Sequence, residues 1–185
     1  MKVAITGHST GIGLSLANLY KHHGHDVIGF SRDNGYHISD PEKRKSIIEQ
    51  SKDCDIFFNN AYHDFSQSDL LFELWEVWQG QKKRIVNVSS SLTMRWDTHH
   101  RTNLKYRSSK IALEESSDFL WNKSPWPAII CVSPCLTDTP RTHYITSGNK
   151  VDPDEFAEFL YYCLERPNFR VQKLALAVNP LEEIK

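Results

Sequence analysis

Within thirteen residues the chain runs from a short apolar strand, Val3-Ala4-Ile5, through Thr6-Gly7-His8-Ser9-Thr10-Gly11-Ile12-Gly13 and into a helical pattern. A strand, a glycine turn and a helix in that order leave few architectures open. Gly7 lets the chain turn sharply, Gly11 removes a side chain where a phosphate must approach, and Gly13 lets the helix pack tightly on the strand. The free N–H groups and the positive dipole end of the helix then face a pyrophosphate. Ser9, Thr10 and Ile12 belong to the same turn and are expected to line it. A dinucleotide is the expected ligand. The glycine spacing is Gly-x3-Gly-x-Gly rather than the commoner Gly-x-Gly-x2-Gly.

Beyond the turn, apolar strand-like runs alternate with amphipathic helical stretches. Leu14, Leu16, Ala17 and Leu19-Tyr20 form the inner side of a helix ending near Gly24. Strands are predicted at 26–30, 55–58, 84–88, 128–132 and 171–178. Helices are predicted at 41–52, 70–78, 105–122 and 153–165. Asp40-Pro41 and Asp152-Pro153 supply start signals. Strands that are apolar throughout, alternating with helices, imply a doubly wound parallel α/β sheet of about six or seven strands, covered by helices on both faces. Ligands bind such sheets beyond the C-terminal strand ends. The glycine turn, Asn59-Asn60, Ser89–Ser91 and Pro134 all fall on that edge.

At 185 residues, with no linker or repeat, one domain spanning 1–185 is expected. Hydrophobic residues make up 39% and charged residues 24%, and net charge is -1, so nothing in the composition favours a nucleic-acid partner. No apolar run approaches a membrane span, and the chain opens on its first strand, so a cytoplasmic location is the default. Cys54, Cys131, Cys135 and Cys163 match no zinc spacing and read as reduced thiols. His22, His23 and His25 surround Gly24, which reads as a helix C-cap rather than a metal site.

Tyr106-Arg107-Ser108-Ser109-Lys110 places a phenol and an ammonium at i and i+4, on one helix face. A phenol normally titrates near ~10, and a nearby lysine charge favours its ionised form. A serine hydroxyl can polarise a carbonyl oxygen by hydrogen bonding. Proton donor, tuner and clamp together suit exchange of a hydride between a carbonyl/alcohol pair and a nicotinamide. At the end of the second strand, Phe30 is followed by Ser31-Arg32 and not by a carboxylate. Arg32 can meet a 2′-phosphate, which favours NADP(H) over NAD(H).

The order Thr-Gly-x3-Gly-Ile-Gly, Asn-Asn-Ala, strand–Ser-Ser, Tyr-x3-Lys and strand–Ser-Pro resembles the short-chain dehydrogenase/reductase family over nearly the whole chain. The resemblance implies a Rossmann-type fold and an NAD(P)-dependent oxidoreductase. It implies that Tyr106 is the catalytic acid/base, and that Lys110 binds the nicotinamide ribose and depresses the Tyr106 pKa. It implies that Ser90, with Ser91 as the rival, orients the substrate carbonyl. Asn59 and Ala61 would lie beside the cofactor, and Pro134 and Thr139 near the nicotinamide, with Thr139 on its carboxamide. The implied partner is a small-molecule substrate, and family members assemble as homodimers or homotetramers.

The departures from that pattern carry their own expectations. The short interval between Phe30 and Ser39 leaves the family's third strand short or absent. Tyr62 stands where the family has a glycine after Asn-Asn-Ala, and Cys135 where it has a glycine after proline. The family's catalytic asparagine has no counterpart that the spacing identifies. The segment between Pro140 and Asp152 makes a brief lid. These losses support an alternative, a catalytically weak or inactive cofactor-binding sensor. Trp75 and Trp78 are expected in the core before an interface. The insertion carrying Arg95, Trp96, His99, His100 and Arg101 reads as a solvated loop at the site mouth, with recognition of an anionic substrate or partner as its functional reading.

Overall fold

Six strands form one parallel sheet in the order β2-β1-β3-β4-β5-β6. They are β1 (Lys2–Thr6), β2 (Asp26–Phe30), β3 (Ile56–Asn59), β4 (Arg84–Val88), β5 (Ala128–Ser133) and β6 (Lys173–Ala175). The helices are α1 (Gly11–His22), α2 (Pro41–Ser51), α3 (Ser66–Trp78), α4 (Leu104–Lys123) and α5 (Pro153–Leu164). The computed structural model describes residues 1–94, 104–146, 149–166 and 170–177. The insertion at 95–101 and the predicted end of the last strand at Val178 lie outside the described residues.

Side-chain alternation splits the strands between two cores. Val3, Ile5, Ile56, Phe58, Val86, Ile130 and Val132 face α1 and α5, meeting Leu16, Tyr20, Phe156 and Leu160. Ala4, Phe57, Ile85 and Ile129 face α2, α3 and α4, meeting Ile47, Leu74, Trp78, Leu113 and Leu120. Trp75 and Trp78 are both buried in this second core, at 5% and 0% exposure.

β2 lies at one edge of the sheet, and a short 3-10 turn (Arg32–Asn34) leads from it towards α2. Asn34 holds that turn: its side-chain oxygen accepts from the Ser31 N–H at 2.7 Å, and its amide donates to the Gly29 carbonyl at 2.8 Å. From α2 the chain crosses to β3 on the other side of β1. No further strand lies outside β2 among the described residues. The reversal of direction therefore falls between β1 and β3, which is where open parallel sheets take ligands.

Candidate functional site

Gly7 and Gly11 adopt φ of +71° and +53°, in the left-handed region that favours glycine. A Cβ on Gly13 would sit 2.1 Å from the Gly7 carbonyl oxygen, so helix and turn meet without space for a methyl group. The cap residue of α1, Thr10, makes no side-chain cap hydrogen bond. The first amides of α1 therefore open into the cleft, as a phosphate group requires. Thr6 ties this turn to β3. Its buried hydroxyl donates to the Phe58 carbonyl at 3.2 Å and accepts from the amides of Asn60 and Ala61 at 2.9 and 3.0 Å. The Asn60 amide group donates to the Thr6 carbonyl at 3.0 Å.

The two asparagines face opposite ways. Asn60 braces the glycine turn. Asn59 is fully buried, donating to the Gln67 carbonyl at 2.8 Å and to the Asn87 side chain at 2.9 Å. Ala61 follows at the cleft wall. At the far end of the cleft, Arg32 lies exposed in the turn after β2. The His8 ring covers Gly29 so closely that a Cβ there would be 2.2 Å from it.

Pro134 is buried after β5, and Thr139 lies against the glycine turn. A Cβ on Gly11 would be 3.0 Å from the Thr139 methyl. The bend after Thr139 is pinned by Thr142, whose hydroxyl accepts from the Thr139 amide at 3.0 Å.

The serine run resolves by alternation. Ser89 points inward and donates to Glu114 at 2.7 Å. Ser90, the next residue on an extended chain, points the other way and hydrogen-bonds the Tyr106 hydroxyl. Ser91 opens a 3-10 turn, and its amide donates to the Pro134 carbonyl at 2.9 Å. Ser90 rather than Ser91 therefore meets the tyrosine. Glu114 gathers the surroundings: it also accepts from Thr93 at 2.8 Å and Ser133 at 2.7 Å, and pairs with Lys173 at 3.1 Å. Burial raises its pKa, but these donors outweigh burial and hold the carboxyl below its ordinary range.

Lys110 is 3% exposed. Its Nζ donates to Gln67 Oε1 at 2.6 Å and to the Val88 carbonyl at 2.7 Å. Burial, with the Arg141 charge adding to it, pushes its pKa down to about 7. Gln67 is itself fixed, donating to the Asn59 carbonyl at 2.8 Å. Sequence reasoning missed Gln67 because it lies in the polar first turn of α3, before the apolar pattern begins.

Tyr106 and Tyr62 meet edge-on, ring centroids 4.7 Å apart. The Arg141 guanidinium lies 4.5 Å from the first ring and 4.3 Å from the second. Burial raises the Tyr106 pKa above its ordinary value, while the Ser90 hydrogen bond and the Arg141 charge pull against that rise. Lys110 Nζ stands 5.7 Å from the Tyr106 ring. Arg141 left no periodic signal in the sequence, because a loop residue reaching over two rings has none.

A cavity of about 440 Å³ opens at the opposite, amino end of the sheet, lined by Met1, Asp55, Arg84 and Trp126 among others. It contains none of these groups, and the chemistry-bearing side chains converge at the carboxyl end. Among the described residues, no helix is long and apolar enough to cross a membrane.

No protein-family model matches the sequence, and no curated protein is similar to it at a significant level. Solved structures do match. The 3-alpha-hydroxysteroid dehydrogenase from Pseudomonas sp. B-0831, complexed with NADH, superposes with a TM-score of 0.78 at 20% identity, covering 96% of this chain and 95% of that one. The 3-ketoacyl-(acyl-carrier-protein) reductase from Brucella melitensis, also with NADH, gives 0.77 at 19% identity, covering 95% and 96%. A short chain dehydrogenase from Burkholderia cenocepacia J2315, in complex with NADP, gives 0.81 at 18% identity, covering 96% and 88%. The chain has the Rossmann-like fold of short-chain dehydrogenases, reached with little sequence in common.

Proposed function

We propose that this protein is a short-chain oxidoreductase that moves a hydride between NADP(H) and a small carbonyl/alcohol substrate, with Ser90, Tyr106 and Lys110 as its working groups. The observation that carries the proposal is the Ser90–Tyr106 hydrogen bond, formed one helical turn from the buried Lys110. The fold shared with structures that hold NADH or NADP supports the cofactor class.

The residues present fit a dinucleotide. The left-handed glycines and the uncapped start of α1 make a cradle that side chains would fill. Gly7, Ser9, Thr10, Gly11, Ile12 and Gly13 would hold the pyrophosphate, with Asn59, Ala61, Pro134 and Thr139 along the nicotinamide half. Arg32, exposed at the end of β2, would meet the 2′-phosphate that distinguishes NADP from NAD. When bound, the nicotinamide supplies the hydride to the carbonyl carbon, or accepts it from the alcohol.

Ser90 donates a hydrogen bond to the substrate oxygen and orients the carbonyl. Tyr106 gives its proton to that oxygen as the C–H bond forms, and recovers one from solvent; in the alcohol direction it takes the proton. The charge that pulls against the raised Tyr106 pKa is that of Arg141, 4.5 Å from its ring, and not the Lys110 charge that the sequence predicts. Lys110 would donate to the ribose, and its pKa of about 7 leaves its charge responsive to what binds beside it.

Tyr106→Phe removes the transferable proton and keeps the ring. Turnover of a broad aldehyde and ketone panel with NADPH should fall by at least about a thousandfold, while NADPH affinity, read by fluorescence, stays within twofold, roughly. Undiminished turnover would reject the assignment. A second reading, cofactor binding without turnover, draws support from the Tyr62 ring packed against Tyr106. It predicts NADPH binding with no reduction anywhere on the panel.

A further inference from the structure

The cations around the two tyrosines differ in one respect. Lys110 is buried, with Gln67 Oε1 and the Val88 carbonyl as acceptors. Lys105 pairs with Asp64 at 2.6 Å. Arg107 donates to the carbonyls of Leu92 and Thr93 at 3.0 and 3.2 Å. Arg141 is exposed, and none of the ion pairs among the described residues uses it.

Arg141 is nevertheless held in place. Its guanidinium carbon lies over the Tyr62 and Tyr106 rings, 4.3 and 4.5 Å from their centroids. Cation–π attraction to the rings holds the group without using up its N–H donors, whose fork matches a carboxylate. The backbone beneath it is fixed by Thr142, whose hydroxyl contacts the Thr137 carbonyl at 2.5 Å and whose amide donates to the Thr139 carbonyl at 2.9 Å. The same bend rests on the glycine turn through Thr139. Arg141 thus springs from the cofactor cleft and reaches across to the phenol that the preceding section assigns to proton transfer.

We infer that the carbonyl substrate carries a carboxylate or similar anionic group, which Arg141 receives at the edge of the Tyr106 ring. The inference rests on the oxidoreductase reading and adds a substrate class to it. An anion held there lies within one small molecule's length of the Ser90–Tyr106 pair, so a compact oxo acid spans both points. The guanidinium is exposed and so open to an incoming anion, and the fork geometry rather than burial gives the contact its strength.

The test uses the full chain with NADPH and two probes of one shape, para-carboxybenzaldehyde and its methyl ester. kcat/KM should favour the acid by about tenfold or more, the range of one charge-assisted hydrogen-bonded contact. In Arg141→Gln that preference should collapse towards unity, and Arg141→Lys should restore part of it. Calorimetric binding of both probes to the protein saturated with NADP⁺ gives a readout independent of turnover. If both aldehydes are reduced equally well by the unmodified protein, the inference is overturned and the oxidoreductase reading stands. If neither is reduced but the acid binds preferentially through Arg141, the oxidoreductase reading fails and the anion site stands. If Arg141→Gln keeps the preference and instead weakens NADPH binding tenfold, roughly, the guanidinium serves a cofactor phosphate and the inference falls.

Discussion

Neighbouring residues at this site take opposite jobs because the chain is extended where they lie. Ser89 turns inward to Glu114 while Ser90 turns out to Tyr106, and Asn59 is buried while Asn60 braces the glycine turn. The motif names both members of each pair; only alternation across the strand ends assigns them. Lys110 shows how far burial can offset a charge. Its pKa lies near 7 in the folded protein, against about 10.4 in an unfolded chain. Between those values the unfolded state binds the extra proton, so stability from this group rises with pH. Below about pH 7 the ammonium is charged in both states, and the full penalty of burying it remains. In denaturant titrations the stability of the protein relative to a Lys110→Met variant should therefore increase by about 1.4 kcal/mol per pH unit through the middle of that window. A difference that stays flat from pH 7 to 10 would show that Lys110 keeps its ordinary pKa.

At the scale of elements, the instructive case is the start of α3. An apolar pattern predicts a helix from Leu70, but the helix begins at Ser66. Ser66, Gln67 and Ser68 are all buried, although their side chains are polar. The helix extends there because Gln67 bonds strand-end carbonyls and Lys110, and its own carbonyl receives Asn59. Those partners lie 8 to 43 residues away and on other elements, so no local periodicity announces them. α2 and α3 are joined by a second buried polar contact. Arg44, its side chain 9% exposed, pairs with Glu73 at 2.9 Å and donates to the Ile38 carbonyl at 3.0 Å. The carboxylate raises the guanidinium pKa further through its hydrogen bond. Glu73 is partly solvated, which moderates the contribution. Arg44→Ala leaves the Ile38 carbonyl and the carboxylate without that partner, and should cost about 2 kcal/mol in chemical denaturation. A loss below about 0.5 kcal/mol would class the pair with ordinary surface bridges.

On the scale of the whole molecule, the sheet ends on one side at β2 among the described residues. With β2 at the edge, the turn bearing Arg32 and the ring of His8 over Gly29 lie at that end of the cleft, with no strand beyond them among the described residues. The cradle at the start of α1 is intact, so binding energy should appear as global stabilisation. At about a hundredfold excess over Kd, NADPH should add about 2.7 kcal/mol. For a domain of this size that is a rise in Tm of about 5–10 °C by differential scanning fluorimetry. NADH at equal concentration should give less, because Arg32 has no phosphate to meet. A larger shift with NADH would reverse the proposed cofactor preference.

Sequence by itself determined the parallel α/β sheet, the glycine turn, the Tyr106–Lys110 helix face and a third strand short or absent after Phe30. Each of these is local: glycines at a turn, apolar runs of strand length, a spacing of four on a helix, and an interval too short for another strand. The tertiary structure decided which serine meets the phenol, that Gln67 holds Lys110, and that Arg141 lies over Tyr106 and Tyr62. These depend on contacts between residues 16 to 79 positions apart, made only when strand ends, α3, α4 and the bend after Thr139 close on one another. The physical reason is the same in each case: a polar group buried away from water must find its partner in space, and no neighbour in sequence supplies it.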